Sequence, residues 1–216
     1  MITIIDYGMG NLRSVQKGFE RVGYEAQIVS DPDGLADATS LVLPGVGAFG
    51  DAMVNLKQAD LINPIVKSVS EGVPFLGICL GLQLLFSQSE ELGSHRGLDI
   101  LPGCVRRFPK GQRVPQIGWN QIHIRQENPL LEGVPDGSFF YFVHSYYVEA
   151  ERETDVIAMT DYEIDYCAIA GGSRLFGVQF HPEKSQDAGL RVLKNFAQIA
   201  SSYAEAGVSD VGVNAR

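Results

Sequence analysis

Val73-Pro74-Phe75-Leu76-Gly77-Ile78-Cys79-Leu80-Gly81-Leu82-Gln83-Leu84-Leu85-Phe86 reads as a buried strand, a tight turn at Cys79 and the start of a helix. Gly77 and Gly81 remove side chains where strand and helix must approach each other closely. That is the logic of the G-x-S-x-G nucleophile elbow, with sulfur in place of oxygen. The turn would expose the thiol at a helix N-terminus, whose positive end favours the thiolate, the attacking species. A free cysteine in an apolar run can equally be a small buried hydrophobe, so the elbow alone leaves both readings open.

The context lies about a hundred residues on, at Val178-Gln179-Phe180-His181-Pro182-Glu183. Residues i and i+2 of an extended segment face one side, and Pro182 biases His181 toward extended backbone. A nucleophilic thiol needs an imidazole to take its proton, and the imidazole needs an acceptor to fix its tautomer. Cys79, His181 and Glu183 are the candidate catalytic residues. Of the four histidines, His95 sits in a loop-like Gly93-Ser94-His95-Arg96-Gly97 and His123 in a polar alternation. His144 ends an aromatic run and fits a pocket-lining or structural role better than that of a base. Acyl transfer also needs oxyanion donors. Leu41-Val42-Leu43-Pro44-Gly45-Val46-Gly47 supplies a strand running into a glycine turn, so the expected donors are the backbone N–H of Leu80 and the Gly45–Val46 peptide, which Gly45 leaves free to rotate. Read locally, that turn is also an ordinary strand-to-helix connection.

The first half alternates strand and helix: Thr3–Asp6, a helix Leu12–Val22 with Asn11 as N-cap and Gly23 as stop, Ala26–Val29, Ser40–Leu43, a helix near Leu61–Ser70, then Phe75–Ile78. That is a parallel-sheet rhythm. The second half adds strands at Val105–Phe108, Asn120–Ile124, Phe139–Phe142 and Val156–Met159, then the pair Tyr166–Ala170 and Leu175–Phe180. A closing helix follows near Ala188–Ser201. The fold expected is α/β: an open, mixed, mostly parallel sheet flanked by helices, with Cys79 at a strand's carboxyl end. One domain over 1–201 is expected, with 202–216 as a loose C-terminal tail.

Composition narrows the function. A net charge of −9 over 216 residues argues against a phosphate-backbone binder. The apolar runs are shorter than a membrane span, and the chain opens on a strand without a basic leader, so a cytoplasmic location is expected. The three cysteines at 79, 104 and 167 lack C-x-x-C spacing, so neither disulfide nor metal is expected, and Cys104 and Cys167 read as passive. Gly8-Met9-Gly10 is no dinucleotide fingerprint, because Arg13 stands where the third glycine belongs. No cofactor is expected.

These elements, in this order, resemble the class I glutamine amidotransferases, of flavodoxin-like architecture. Ile4-Ile5-Asp6-Tyr7-Gly8-Met9-Gly10-Asn11-Leu12-Arg13-Ser14-Val15, Pro115-Gln116-Ile117-Gly118-Trp119-Asn120 and Phe142-Val143-His144-Ser145-Tyr146 narrow the resemblance to the glutaminase subunits of imidazole glycerol phosphate synthases. The resemblance implies that Cys79 attacks glutamine to give a glutamyl thioester and ammonia. It implies that Gln83, Ser145 and Tyr146 hold the substrate. It also implies a heterodimer with a (β/α)8 cyclase subunit, met by Asn11, Trp119, Tyr141 and Lys184, which uses the ammonia in histidine biosynthesis. Trp119, the sole tryptophan, suits an interface anchor, although a core position fits its sequence context too. A stand-alone cysteine hydrolase of this fold and a non-catalytic subunit are the alternatives.

Overall fold

The computed structural model describes the backbone of residues 1–211 and the side chains of residues 1–206. Its first half runs β1 (Ile2–Ile5), α1 (Leu12–Arg21), β2 (Ala26–Val29), α2 (Pro32–Ala36), β3 (Leu41–Gly45), α3 (Phe49–Gln58), α4 (Ile62–Ser70), β4 (Phe75–Cys79) and α5 (Leu80–Leu84). The second half adds β5 (Phe86–Ser89), β6 (His95–Arg96), β7 (Leu101–Arg107), β8 (Gln116–Gln121), β9 (His123–Ile124), β10 (Phe139–His144), β11 (Tyr146–Ala150), β12 (Val156–Asp161), β13 (Asp165–Gly172), β14 (Leu175–Val178) and α6 (Gln186–Val211).

The main sheet has the order β2-β1-β3-β4-β14-β13-β11-β7-β5-β6. Strands β2, β1, β3, β4 and β14 are parallel, and β13, β11 and β7 continue the sheet antiparallel, as the sequence rhythm indicated. β1, β3 and β4 are buried at every position, as strands covered on both faces must be. One face packs Ile4, Val42, Leu76 and Val178 against Phe19 of α1 and Phe196 of α6. The other packs Ile5, Leu43 and Phe75 against Phe49, Leu56 and Ile65 of α3 and α4.

Several local expectations are corrected. The single strand expected over Asn120–Ile124 is two: β8 pairs with β10 in a separate two-stranded sheet, while β9 pairs with β12 in the main sheet. Buried Ile122 is the pivot between them, its N–H donating to Ser138 O at 3.1 Å. Asn11 stands at the N-cap of α1, but its side chain makes no cap bond; Gly23 does end the helix with φ +91°. The tail boundary expected after Ser201 falls inside α6, and 212–216 lie outside the described residues. No helix among the described residues is long and apolar enough to cross a membrane.

The glycines of the elbow are required by contact. A Cβ on Gly81 would collide with the Leu43 carbonyl oxygen of β3, and one on Gly77 with the Gly81 carbonyl and the Leu82 nitrogen. Gly81→Ala should therefore destabilise the fold by about 3 kcal/mol or more, since neither obstacle is a flexible side-chain end. Gly172→Ala, where nothing lies within 4 Å, should stay within roughly 0.5 kcal/mol of the parent. Urea denaturation of the two variants makes the comparison, and equal stabilities would contradict the close approach.

Candidate active site

Three neighbouring strands deliver the site. β4 lies between β3 and β14, with Gly45 in register with Cys79 and Val178 with Ile78, so the carboxyl ends of all three open at one place. Cys79 ends β4 at φ 56° and ψ −107°, and α5 starts at the next residue. A positive φ on a residue with a side chain costs on the order of 1–3 kcal/mol and marks a functional corner. The helix beyond it is only five residues long. Dipole support for the thiolate is therefore smaller than the sequence suggested, and side chains matter more.

His181 follows β14 with extended backbone, its N–H donating to the Tyr141 carbonyl at 2.9 Å. Its Nδ1 lies 2.8 Å from Glu183 Oε1, and the two side chains are 4% and 1% exposed. The contact is made across a single 3₁₀ turn, Pro182–Lys184, rather than by the strand alternation expected from the sequence. The turn folds the carboxylate back under the ring. With Nδ1 donating to Glu183, Nε2 is the free position, and it has no hydrogen-bond partner among the described residues. Burial works against charge on this ring, but the sulfur of Cys79 and the carboxylate of Glu183 beside it raise its pKa well above that of an ordinary imidazole.

A cavity of about 280 Å³ unites most of the expected residues: Val46, Cys79, Leu80, Gln83, Ser145, Tyr146 and His181 all line it. Glu183 stands behind His181, and Gly45 behind Leu80. What fixes glycine at 45 is space, since a Cβ there would lie 2.5 Å from the Tyr7 hydroxyl and 2.8 Å from Leu80 Cβ. The positive φ belongs to Gly47, at +95°. Three participants were not singled out from sequence. Glu91 lines the cavity and accepts the Phe49 N–H at 2.7 Å. Gln179 is fully buried, with its amide nitrogen 3.7 Å from Cys79 Sγ; its signal was a polar side chain in an otherwise apolar strand end. Tyr166 bonds His144 from β13.

His144 is structural. Its Nδ1 donates to the Tyr146 carbonyl at 2.7 Å, and its Nε2 lies 3.0 Å from the Tyr166 hydroxyl, which also contacts the Gln116 amide at 2.7 Å. Burial, reinforced by His181 and only partly opposed by the Tyr146 carbonyl, pushes its ring down to about 4. The other cysteines are buried, and burial raises both thiols, Cys167 to about 12. No group of three His, Cys, Asp or Glu side chains among the described residues could hold a metal ion. A larger cavity, about 950 Å³, lies between β11, β12 and β13, floored by Val148, Val156 and Met159. It holds none of the candidate catalytic groups.

Of the four residues expected at a partner interface, Trp119, Tyr141 and Lys184 are neighbours. Trp119 and Tyr141 are cross-strand neighbours on β8 and β10, with ring centroids 6.1 Å apart, and Lys184 Nζ lies 5.9 Å from the Tyr141 ring centre. Trp119 is 46% exposed, which removes the core reading. Asn11 is exposed at the start of α1.

A family model described as Glutamine amidotransferase class-I matches residues 3–200. The chain is 54% identical to the imidazole glycerol phosphate synthase subunit HisH of Syntrophotalea carbinolica, over 92% of this chain and 100% of that protein. It is 52% identical to the HisH of Moorella thermoacetica, over 95% and 98%. Among solved structures, one described as a glutamine amidotransferase superposes with a TM-score of 0.74 at 20% identity, covering 93% of this chain and 100% of that one. PurLQS from Thermotoga maritima superposes at 0.72 and 18% identity, covering 94% and 98%. These two establish a shared fold.

The pKa of His144 gives a pH dependence with a definite sign. Its folded value lies below the unfolded value of about 6.5, so its contribution to stability is complete above about pH 6.5 and is lost as pH falls toward 4. Between pH 7 and 4.5 the parent should lose about 2–3 kcal/mol more unfolding free energy than His144→Asn. Urea titrations at the two pH values measure this, and parallel losses would show that His144 titrates normally.

Proposed function

Since this chain belongs to the class I glutamine amidotransferase family, we propose that it is the glutaminase subunit of an imidazole glycerol phosphate synthase, releasing ammonia from glutamine for a cyclase partner in histidine biosynthesis. One observation carries the reading: Cys79, a His181 anchored by Glu183, and the Val46 and Leu80 backbone surround one small cavity at the ends of adjacent strands. Identity above 50% across nearly the whole length of the HisH proteins supports the particular synthase.

In this reading the Cys79 proton passes to His181 Nε2 and the sulfur attacks the side-chain amide carbon of glutamine. The oxyanion takes hydrogen bonds from the backbone N–H groups of Leu80 and Val46. His181 returns its proton to the departing nitrogen, the C–N bond breaks, and ammonia leaves a glutamyl thioester. Water, deprotonated by the same Nε2, attacks the thioester and yields glutamate and the starting thiol. Glu183 keeps Nδ1 protonated throughout, so only Nε2 exchanges protons. Gln83, Ser145 and Tyr146 hold the substrate, and the Glu91 carboxylate complements its ammonium group.

Ammonia in neutral water is mostly ammonium and a poor nucleophile, which favours delivery through a closed contact. Trp119, Tyr141, Lys184 and Asn11 form the proposed docking patch. Idle hydrolysis would waste glutamine, and the Gly45-Val46-Gly47 turn offers a control: its Val46 N–H turns toward the oxyanion when the substrate-loaded cyclase is docked. Glutamine hydrolysis should then rise about tenfold or more on adding the loaded cyclase. Equal rates with and without it would remove this control. Cys79→Ala should lower glutamine hydrolysis on the order of 10³-fold or more, while the complex still turns over with added ammonium salt. Near-parental glutaminase activity in that variant would refute the thioester route, and steady-state ammonia release reads both.

A further inference from the structure

Gln179 is a fully buried polar side chain beside the nucleophile to which the proposed thioester route assigns no role. Its backbone N–H is held by the Ala168 carbonyl at 2.8 Å, just beyond β14. Its amide nitrogen stands 3.7 Å from Cys79 Sγ, and its amide oxygen accepts from Gln83 Nε2 at 3.1 Å. One acceptor orients both amides. Gln83 Nε2 also donates to the Tyr146 carbonyl at 3.0 Å, and a carbonyl oxygen can only accept, so the Gln83 nitrogen must lie on that side. Its second N–H then meets the Gln179 oxygen, which turns the Gln179 NH₂ group toward the sulfur.

The sulfur lies between two opposite poles. The Val143 carbonyl, 3.9 Å away, accepts from the protonated thiol, whereas the Gln179 N–H favours the thiolate. We propose that Gln179 is a further catalytic residue, its side-chain N–H holding the Cys79 sulfur as an aligned anion, with Gln83 as the positioning residue that locks the amide. A hydrogen bond to an ionised acceptor is about twice as strong as a neutral one, and more so in a water-poor site. Without this N–H, the Val143 carbonyl is the hydrogen-bond partner left to the sulfur among the described residues. The proposal rests on the glutaminase reading for its substrate but not for the state of the sulfur, and two separate readouts keep the questions apart.

The first readout is the second-order rate at which the Cys79 thiolate displaces iodide from iodoacetamide at pH 7, in the full complex, with Cys79→Ser supplying the background. The second is kcat and KM for glutamine. Gln179→Met, which keeps the volume and removes the N–H, should slow alkylation and lower kcat by about tenfold each, with KM changed less than about threefold. Gln179→Glu presents an oxygen to the sulfur and should slow alkylation at least as far, which also covers a Met variant that fails to fold. Gln83→Leu should slow alkylation less while raising KM. Parental alkylation rates in both Gln179 variants would overturn the proposal and leave Gln179 as packing. A parental complex that releases no ammonia from glutamine would instead sink the glutaminase reading, with the alkylation comparison intact.

Discussion

The placement of β4 between two parallel neighbours is the constraint on which everything else depends. Its register with β3 sets Gly45 beside Cys79, and its register with β14 sends the chain on to Gln179 and His181. The nucleophile, the Gly45–Val46 turn and the His181–Glu183 pair are far apart in sequence. Backbone hydrogen bonding in the sheet, not side-chain attraction, collects the groups. The tight seating of α5 on β3 and β4, which leaves no room for a Cβ at Gly77 or Gly81, then holds the Cys79 backbone in its unfavourable conformation. Strain of this kind persists because the surroundings over-determine it.

The fold was legible in the sequence where local signals agreed with the tertiary outcome. Apolar runs of strand length, punctuated by glycine and separated by helical stripes, located β1 to β4 and α1 and α4 to within a few residues. The pair of runs Tyr166–Ala170 and Leu175–Phe180 located the β13–β14 hairpin, although Gly171 and Gly172 between them extend β13 and the turn itself is Ser173-Arg174. The pattern misled at Asn120–Ile124, because a polar alternation cannot say which sheet a strand joins. That choice is made by the burial of Ile122 and by partners distant along the chain. The 3₁₀ turn at Pro182 was likewise invisible, since extended and turned backbones both bring residues i and i+2 within reach.

The site divides in the same way. The nucleophile, the imidazole and its acceptor carry chemistry that few residue types can perform, so spacing and elimination pointed to Cys79, His181 and Glu183, and the structure gathers them. Gln179 and Glu91 carry chemistry that dozens of surface residues could perform equally well. Only burial and orientation distinguish them. His144 was separable from the base by context, and its environment explains why: a buried ring with a carbonyl at one nitrogen and a hydroxyl at the other turns neither nitrogen to a thiol.

Exposed Trp119 and its half-buried neighbour Tyr141 lie on strands β8 and β10, and the Tyr141 carbonyl accepts the His181 N–H while the Tyr141 N–H donates to the Ser185 hydroxyl. The proposed docking surface and the candidate proton carrier therefore share a single residue of main chain. A protein seated on this ribbon cannot shift Tyr141 without shifting the imidazole as well. In the proposed complex, loyalty to one companion and speed of turnover would be inherited as a package, so that trading one companion for another would retune the chemistry in the same stroke.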